Sequence, residues 1–242
     1  MSESDTQHRN KKQRSRVGAG RKFAVASTML ILILPLISCT LPSLATGPYP
    51  SQPANFFGGG VMNSGFQADA ELHICNKAKV SNAPIHINRK IISYKPHIVV
   101  GRVVLLTAPM KGGCLSSGYG LRHQGERIKK HNGLDYVRRP AGKIYAASRG
   151  RVIELTNRRD FGNMLVIDHG SGVFTRYAHL ASFQPNLQLG AVVSMGDELG
   201  MMGSTGRSTG VHLDYEILTG IYKGSSFSLR ANDPFKFSAP PG

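Results

Sequence analysis

The chain has 242 residues and a formal net charge of +16, from 30 basic and 14 acidic side chains. That length holds one domain of ordinary size, or a small domain and a tail, and 40% apolar residues are enough for a core. So basic a surface suits an anionic membrane or an anionic polymer such as a bacterial cell wall; nucleic acid is set aside as a partner, because no run of aromatics is interleaved with Lys and Arg. With 28 Gly, 13 Pro and no Trp, many turns and short strands are expected in place of long helices.

The N-terminus speaks to compartment. Residues 9–22 carry Arg9, Lys11, Lys12, Arg14, Arg16, Arg21 and Lys22, and an uncharged, mostly apolar stretch of 15 residues runs from Phe23 to Ile37. The stretch is about five short of a ~20-residue membrane span, so residues 1–38 are expected to be a signal peptide. Leu36-Ile37-Ser38-Cys39 resembles the lipobox of bacterial lipoproteins, which implies that Cys39 is lipidated and becomes the mature N-terminus. Thr40 after it is similar to the pattern of lipoproteins sent to the outer membrane. The expected location is therefore the outer membrane, facing the periplasm. The other reading, a single membrane anchor with a basic cytoplasmic tail, also puts the rest of the chain outside the cytoplasm. Without residues 1–38 the chain keeps a charge of +11.

Residues 39–69 are expected to be the lipidated cysteine and a flexible linker. Positions 40–68 are rich in Pro, Gly, Ser and Asn and carry no charge. Residues 70–109 form a short β-prone lead-in of unassigned role, with the runs Ile98-Val99-Val100 and Val103-Val104-Leu105-Leu106. Cys75 and Cys114 either form a disulfide, worth ~3 to 4 kcal/mol by loop entropy, or stay as separate buried thiols. From 110 to 238 a compact antiparallel β domain is expected. Met164–Asp168 and Val173–Tyr177 read as strands around the turn His169-Gly170-Ser171-Gly172. Val192-Val193 and Leu199–Met202 are further strands, and His212–Leu218 is another, with Gly206 and Gly210 in the loop before it.

Four pieces of this region carry chemistry: His131-Asn132-Gly133-Leu134-Asp135, Tyr177-Ala178-His179-Leu180, the loop Gly203-Ser204-Thr205-Gly206-Arg207-Ser208-Thr209-Gly210, and His212-Leu213-Asp214-Tyr215-Glu216. His and Asp are ligand types for zinc, and a catalytic site uses three such ligands and a water. On a strand His212 and Asp214 share one face, and Leu213 and Tyr215 the other. Glu216 is either a neighbour of the groove or a sheet-surface charge. The Gly-rich loop lacks the Lys of a P-loop and precedes a strand, so it is expected to wall a groove. His73, His86, His97, His123 and His169 are expected to be structural or exposed.

The order of these pieces resembles the lysostaphin/LytM family of zinc endopeptidases. Ser117-Gly118-Tyr119-Gly120-Leu121-Arg122 upstream, Gly162 to Gly170 between and Asn232-Asp233-Pro234 at the end are similar too, so that the resemblance covers about residues 112–237. It implies an antiparallel sheet with zinc in a groove and peptidoglycan peptides as substrate. By the same resemblance His131 and Asp135 match zinc ligands. His179 and His212 match the catalytic histidines, one a general base and one a stabiliser of the oxyanion. The family pattern closes on H-x-H, whose second His is the third ligand; here that position is Asp214. With two carboxylates and one imidazole the site would be formally neutral, so weaker metal binding, slower chemistry and a drift towards harder divalent metals are expected. The leading expectation is a cell-wall metallo-endopeptidase. The alternative is an impaired LytM-type lipoprotein that binds and activates a peptidoglycan amidase during cell division.

Overall fold

The computed structural model describes residues 65–76 and 80–242. The expected signal peptide 1–38, Cys39 and residues 40–64 of the linker lie outside them. The described part is nearly all antiparallel β, as expected. Its main sheet is built from β1 (Cys114–Ser117), β2 (Leu134–Val137), β3 (Gly150–Arg158), β4 (Gly162–Asp168), β5 (Val173–Leu180), β6 (Val192–Val193), β7 (Leu213–Thr219) and β8 (Arg230–Asn232). In space the order is β6-β3-β4-β5-β7-β2-β1, and β8 pairs with β7.

The strands expected from sequence are present with small shifts. The run expected at Met164–Asp168 starts at Gly162, and the one at Val173–Tyr177 continues to Leu180. His212 lies just outside β7, in an isolated bridge to Gly203. The strands Cys114–Ser117, Leu134–Val137 and Gly150–Arg158 lack the strict alternation that would single them out in sequence.

Alternation along the strands gives the sheet two unlike faces. Leu134 and Tyr136, Leu165 and Ile167, Val173 and Tyr177, and Leu213, Tyr215 and Ile217 join one apolar cluster on the first face. On the second, Met164, Val166, Phe174, Ala178 and Leu218 make a much smaller cluster. The residues alternating with that first set on β2 and β7 are Asp135, Asp214 and Glu216.

The lead-in has a structural role that its sequence did not disclose. His97–Val100 and Val103–Leu106 form a hairpin, and Ile98, Val100, Val103, Leu105 and Leu106 belong to the large cluster on the first face. Two buried tyrosines of the sheet donate to its backbone, Tyr215 to Leu106 O (2.9 Å) and Tyr136 to Thr107 O (2.7 Å). Further upstream, Ile74 bridges Leu115 in parallel, and Cys75 and Cys114 are disulfide-bonded with Cα atoms 4.9 Å apart. The lead-in thus covers the apolar face and extends the sheet beside β1.

Candidate metal centre

Asp135 on β2 and Asp214 on β7 are direct register partners, so both carboxylates rise from the second face at the same height. Like charges placed directly opposite each other destabilise a sheet, and both side chains are about nine-tenths buried. His131 ends the strand Arg127–His131, and the turn Asn132-Gly133 brings it over this pair. Its Nε2 lies 3.1 Å from Asp135 Oδ1 and 3.6 Å from Asp214 Oδ1. Gly133 is required by this close approach: a Cβ there would lie 2.6 Å from Asp214 Oδ1 and 2.6 Å from Tyr215 O.

His131 Nδ1–H donates to Gly118 O at 2.7 Å, which leaves Nε2 aimed at the carboxylates. His131 Nε2 and Asp214 Oδ1 are buried without a hydrogen-bond partner among the described residues. Burial by itself lowers the pKa of His131, but the two adjacent carboxylates outweigh it and raise it to about 10. Burial likewise opposes ionisation of Asp135, and His131, His212 and Arg122 overcome it to bring its carboxyl down to about 2. The cluster is a hole for positive charge. One nitrogen and two carboxylate oxygens lie within 4.8 Å of one another, two of them orphaned. This donor set fits zinc and also suits harder divalent ions.

Both remaining histidines face the same groove. By alternation His179 would follow Tyr177 into the apolar core. Instead its φ is +61°, at the end of β5 where the register with β4 shifts between Asn163 and Leu165. A positive φ at a non-glycine residue costs of order 1–3 kcal/mol and concentrates at functional sites, and an irregularity of this kind re-aims a side chain. His179 Nδ1–H donates to Thr205 O (2.8 Å), and its Nε2 makes no hydrogen bond among the described residues. His212 Nδ1–H donates to Gly210 O (2.8 Å), and its Nε2 lies 3.6 Å from Asp135 Oδ1. The two rings are 4.8 Å apart between centroids. The loop 203–210 supplies both carbonyls. It is seated by Asn163 N–H donating to Thr205 Oγ1 (2.9 Å) and Arg207 N–H donating to Asp160 O (2.9 Å).

Asp135, Asp214, His179 and His212 line a cavity of about 390 Å³ whose walls include Ser81, Asn82, Arg122, Arg139 and Arg207 to Val211. The structure therefore brings together His131, Asp135, Asp214, His179 and His212. It also adds three residues that carried no role in sequence. Arg122 Nη1 donates to Asp135 Oδ2 (2.6 Å) and to Ser117 Oγ (2.8 Å); its motif was visible, its partner was not. Arg176 lies opposite Glu216 in register and donates to Glu216 Oε2 at 2.8 Å, both almost wholly buried. Glu216 is accordingly no surface charge: burial and the charge of Asp214 push its pKa up to about 7 against the pull of Arg176 and His131. Asn82 had no sequence signal at all. His169, as expected, is structural. It is buried, lies 2.7 Å from Arg149 O and 2.8 Å from Thr175 Oγ1, and burial lowers its pKa to about 4.

A buried His-Asp-Asp cluster with two further imidazoles beside it in an open groove is a donor set that could hold a metal ion next to groups able to move protons. Residues 129–227 match the model described as Peptidase family M23, and the chain carries an M23, LytM-type domain. It is 36% identical over 116 residues to the peptidoglycan DD-endopeptidase ShyA of Vibrio cholerae, a match covering 48% of this chain and 26% of that protein. It is 32% identical over 111 residues to the cell division protein DipM of Caulobacter vibrioides, covering 45% of this chain and 17% of that one. A solved zinc-containing peptidase from Vibrio cholerae is 29% identical, with 56% of this chain and 40% of that chain covered and a TM-score of 0.47. The chain thus spans about a quarter or less of the length of these two sequence relatives.

Proposed function

We propose that the protein is a metal-dependent endopeptidase acting on the peptide part of peptidoglycan, with zinc held by His131, Asp135 and Asp214. The observation that carries it is the pair of buried orphan atoms, His131 Nε2 and Asp214 Oδ1, facing each other across register-paired carboxylates. Its likeness to ShyA supports the substrate class. Bound there, zinc supplies Lewis acidity that polarises a peptide carbonyl and makes water a better acid. His179 and His212 each spend Nδ1–H on a loop carbonyl, so each presents Nε2 to the groove. One takes a proton from the attacking water, and the other, when protonated, donates to the oxygen that gains negative charge. Arg122 holds Asp135 in place from the groove side. Arg139 and Arg207 line the groove and make no ion pair among the described residues, which suits a peptide bearing free carboxylates.

A second reading, a catalytically impaired domain that binds and activates a peptidoglycan amidase, is favoured by the carboxylate at position 214 and by the likeness to DipM. Lipidation of Cys39 and a place at the outer membrane facing the periplasm belong to either version. Cys39→Ala should move the protein from the membrane to the soluble fraction.

The deciding experiment measures bound metal in the purified protein and in Asp214→Ala. About one zinc per chain, falling sharply in the variant, together with release of peptides from purified peptidoglycan, is the expected result. A protein that stays metal-free in added zinc sinks the endopeptidase reading and leaves the amidase activator.

A further inference from the structure

The residues that match the family begin at 129, yet a side chain from the lead-in bonds the residues that orient His131 and Arg122. Asn82 Oδ1 accepts from Gly118 N–H (3.1 Å) and from the Ser117 hydroxyl (3.2 Å), and its Nδ2–H donates to Gly118 O. Gly118 O is the same oxygen that accepts His131 Nδ1–H, and Ser117 Oγ is the one that accepts from Arg122. One amide group thus fixes two atoms. The first sets the ring orientation of His131; the second seats the guanidinium that holds Asp135. The approach is intimate, for a Cβ on Gly118 would collide with the Asn82 backbone carbonyl.

The same segment is anchored to the other end of the strand. Cys75 is disulfide-bonded to Cys114, the first residue of β1, and Cys75 N–H and Leu115 N–H exchange bonds with Leu115 O and His73 O. β1 is therefore gripped by the lead-in at its start through sulfur and just past its end through Asn82. A metal-ligating histidine is held in one tautomer and one orientation by what its other nitrogen meets. Here that partner is a carbonyl whose own position depends on Asn82.

Resting on the reading of His131, Asp135 and Asp214 as metal ligands, we infer that Asn82 is a positioning residue of the metal centre, which makes the lead-in an integral part of the site. The test uses the full chain with its disulfide intact, comparing wild type, Asn82→Ala and Asn82→Ser; serine stays polar but is too short to span Ser117 and Gly118. Tyr94→Phe is the control: it removes a lead-in hydrogen bond to Asp69 O away from the groove. Zinc affinity is read by competition with a chelating dye, and the His131 ring by its Nδ1 proton resonance in metal-free protein. Both Asn82 variants should bind zinc about 10–100-fold more weakly and show faster exchange of that ring proton, whereas Tyr94→Phe changes neither. Wild-type affinity in the Asn82 variants overturns the inference and leaves the proposed function standing. If the wild type itself takes no zinc, the proposed function fails, and an unchanged His131 resonance in Asn82→Ala then overturns the positioning role as well.

Discussion

On one face of the main sheet Leu165, Tyr177 and Tyr215 are fully out of water inside a single large apolar cluster. On the other, strands β2, β5 and β7 present Asp135, Arg176, Asp214 and Glu216, all buried, with only a small apolar cluster beside them. Both faces are made by the same residues' alternation, but they hold for different reasons. The apolar face gains from each ångström of surface removed from water. The polar face carries opposed carboxylates, an imidazole nitrogen that makes no hydrogen bond among the described residues and a strained His179, each of which costs folding energy. A face that is expensive to fold and is nevertheless built in register is what the proposed cation site and reaction require.

That contrast can be broken experimentally. The largest effect is expected at His179→Ala, where peptide release should fall by about 10²–10⁴-fold with zinc content unchanged in elemental analysis; a loss of zinc would make His179 a ligand instead. Next comes the apolar face. Leu165→Ala should cost about 2–5 kcal/mol by urea unfolding, equally with and without zinc, while zinc should raise the melting temperature only in chains that keep the polar cluster.

Acid should weaken the protein through His169, on the apolar side beside Thr175 and Tyr177. Its folded pKa, about 4, lies below the ordinary 6.5, so the unfolded chain takes up the proton first as pH falls. The contribution of neutral His169 is complete above pH 6.5 and is lost progressively towards pH 4, roughly 3 kcal/mol in all. Unfolding free energies at pH 7 and 4.5 should show this slope in the wild type and a shallower one in His169→Gln. The smallest effect belongs to the groove rim. Arg139→Ala with Arg207→Ala should raise KM several-fold, roughly 1 kcal/mol, leave kcat nearly unchanged and make binding less sensitive to salt.

Much of this was legible in sequence where chemistry is local. The hairpin around His169-Gly170-Ser171-Gly172 follows from its turn residues, and Ser171, Gly170 and Gly172 do adopt positive φ. Leu213 and Tyr215 fall on the face opposite Asp214 because a strand has period two. The pieces containing His131, Asp135, His179, His212 and Asp214 were visible by their order. What stayed hidden depends on pairs far apart in the chain. Arg176 meets Glu216 across 40 positions and Asn82 meets Gly118 across 36, and neither partner marks the other. The lead-in gave short apolar runs with no indication of what they cover.

By itself, then, the sequence determined the β character, the strand faces and the candidate groups for metal and proton chemistry, because propensity, alternation and side-chain type are properties of a residue and its near neighbours. The tertiary structure alone decided that Asp135 and Asp214 stand opposite each other, that His179 turns back out of the core, and that Cys75 joins Cys114 while Asn82 clamps Gly118. Those outcomes depend on strand register and on which backbone carbonyls a distant loop brings within hydrogen-bonding reach, and both are set only when the whole sheet has closed.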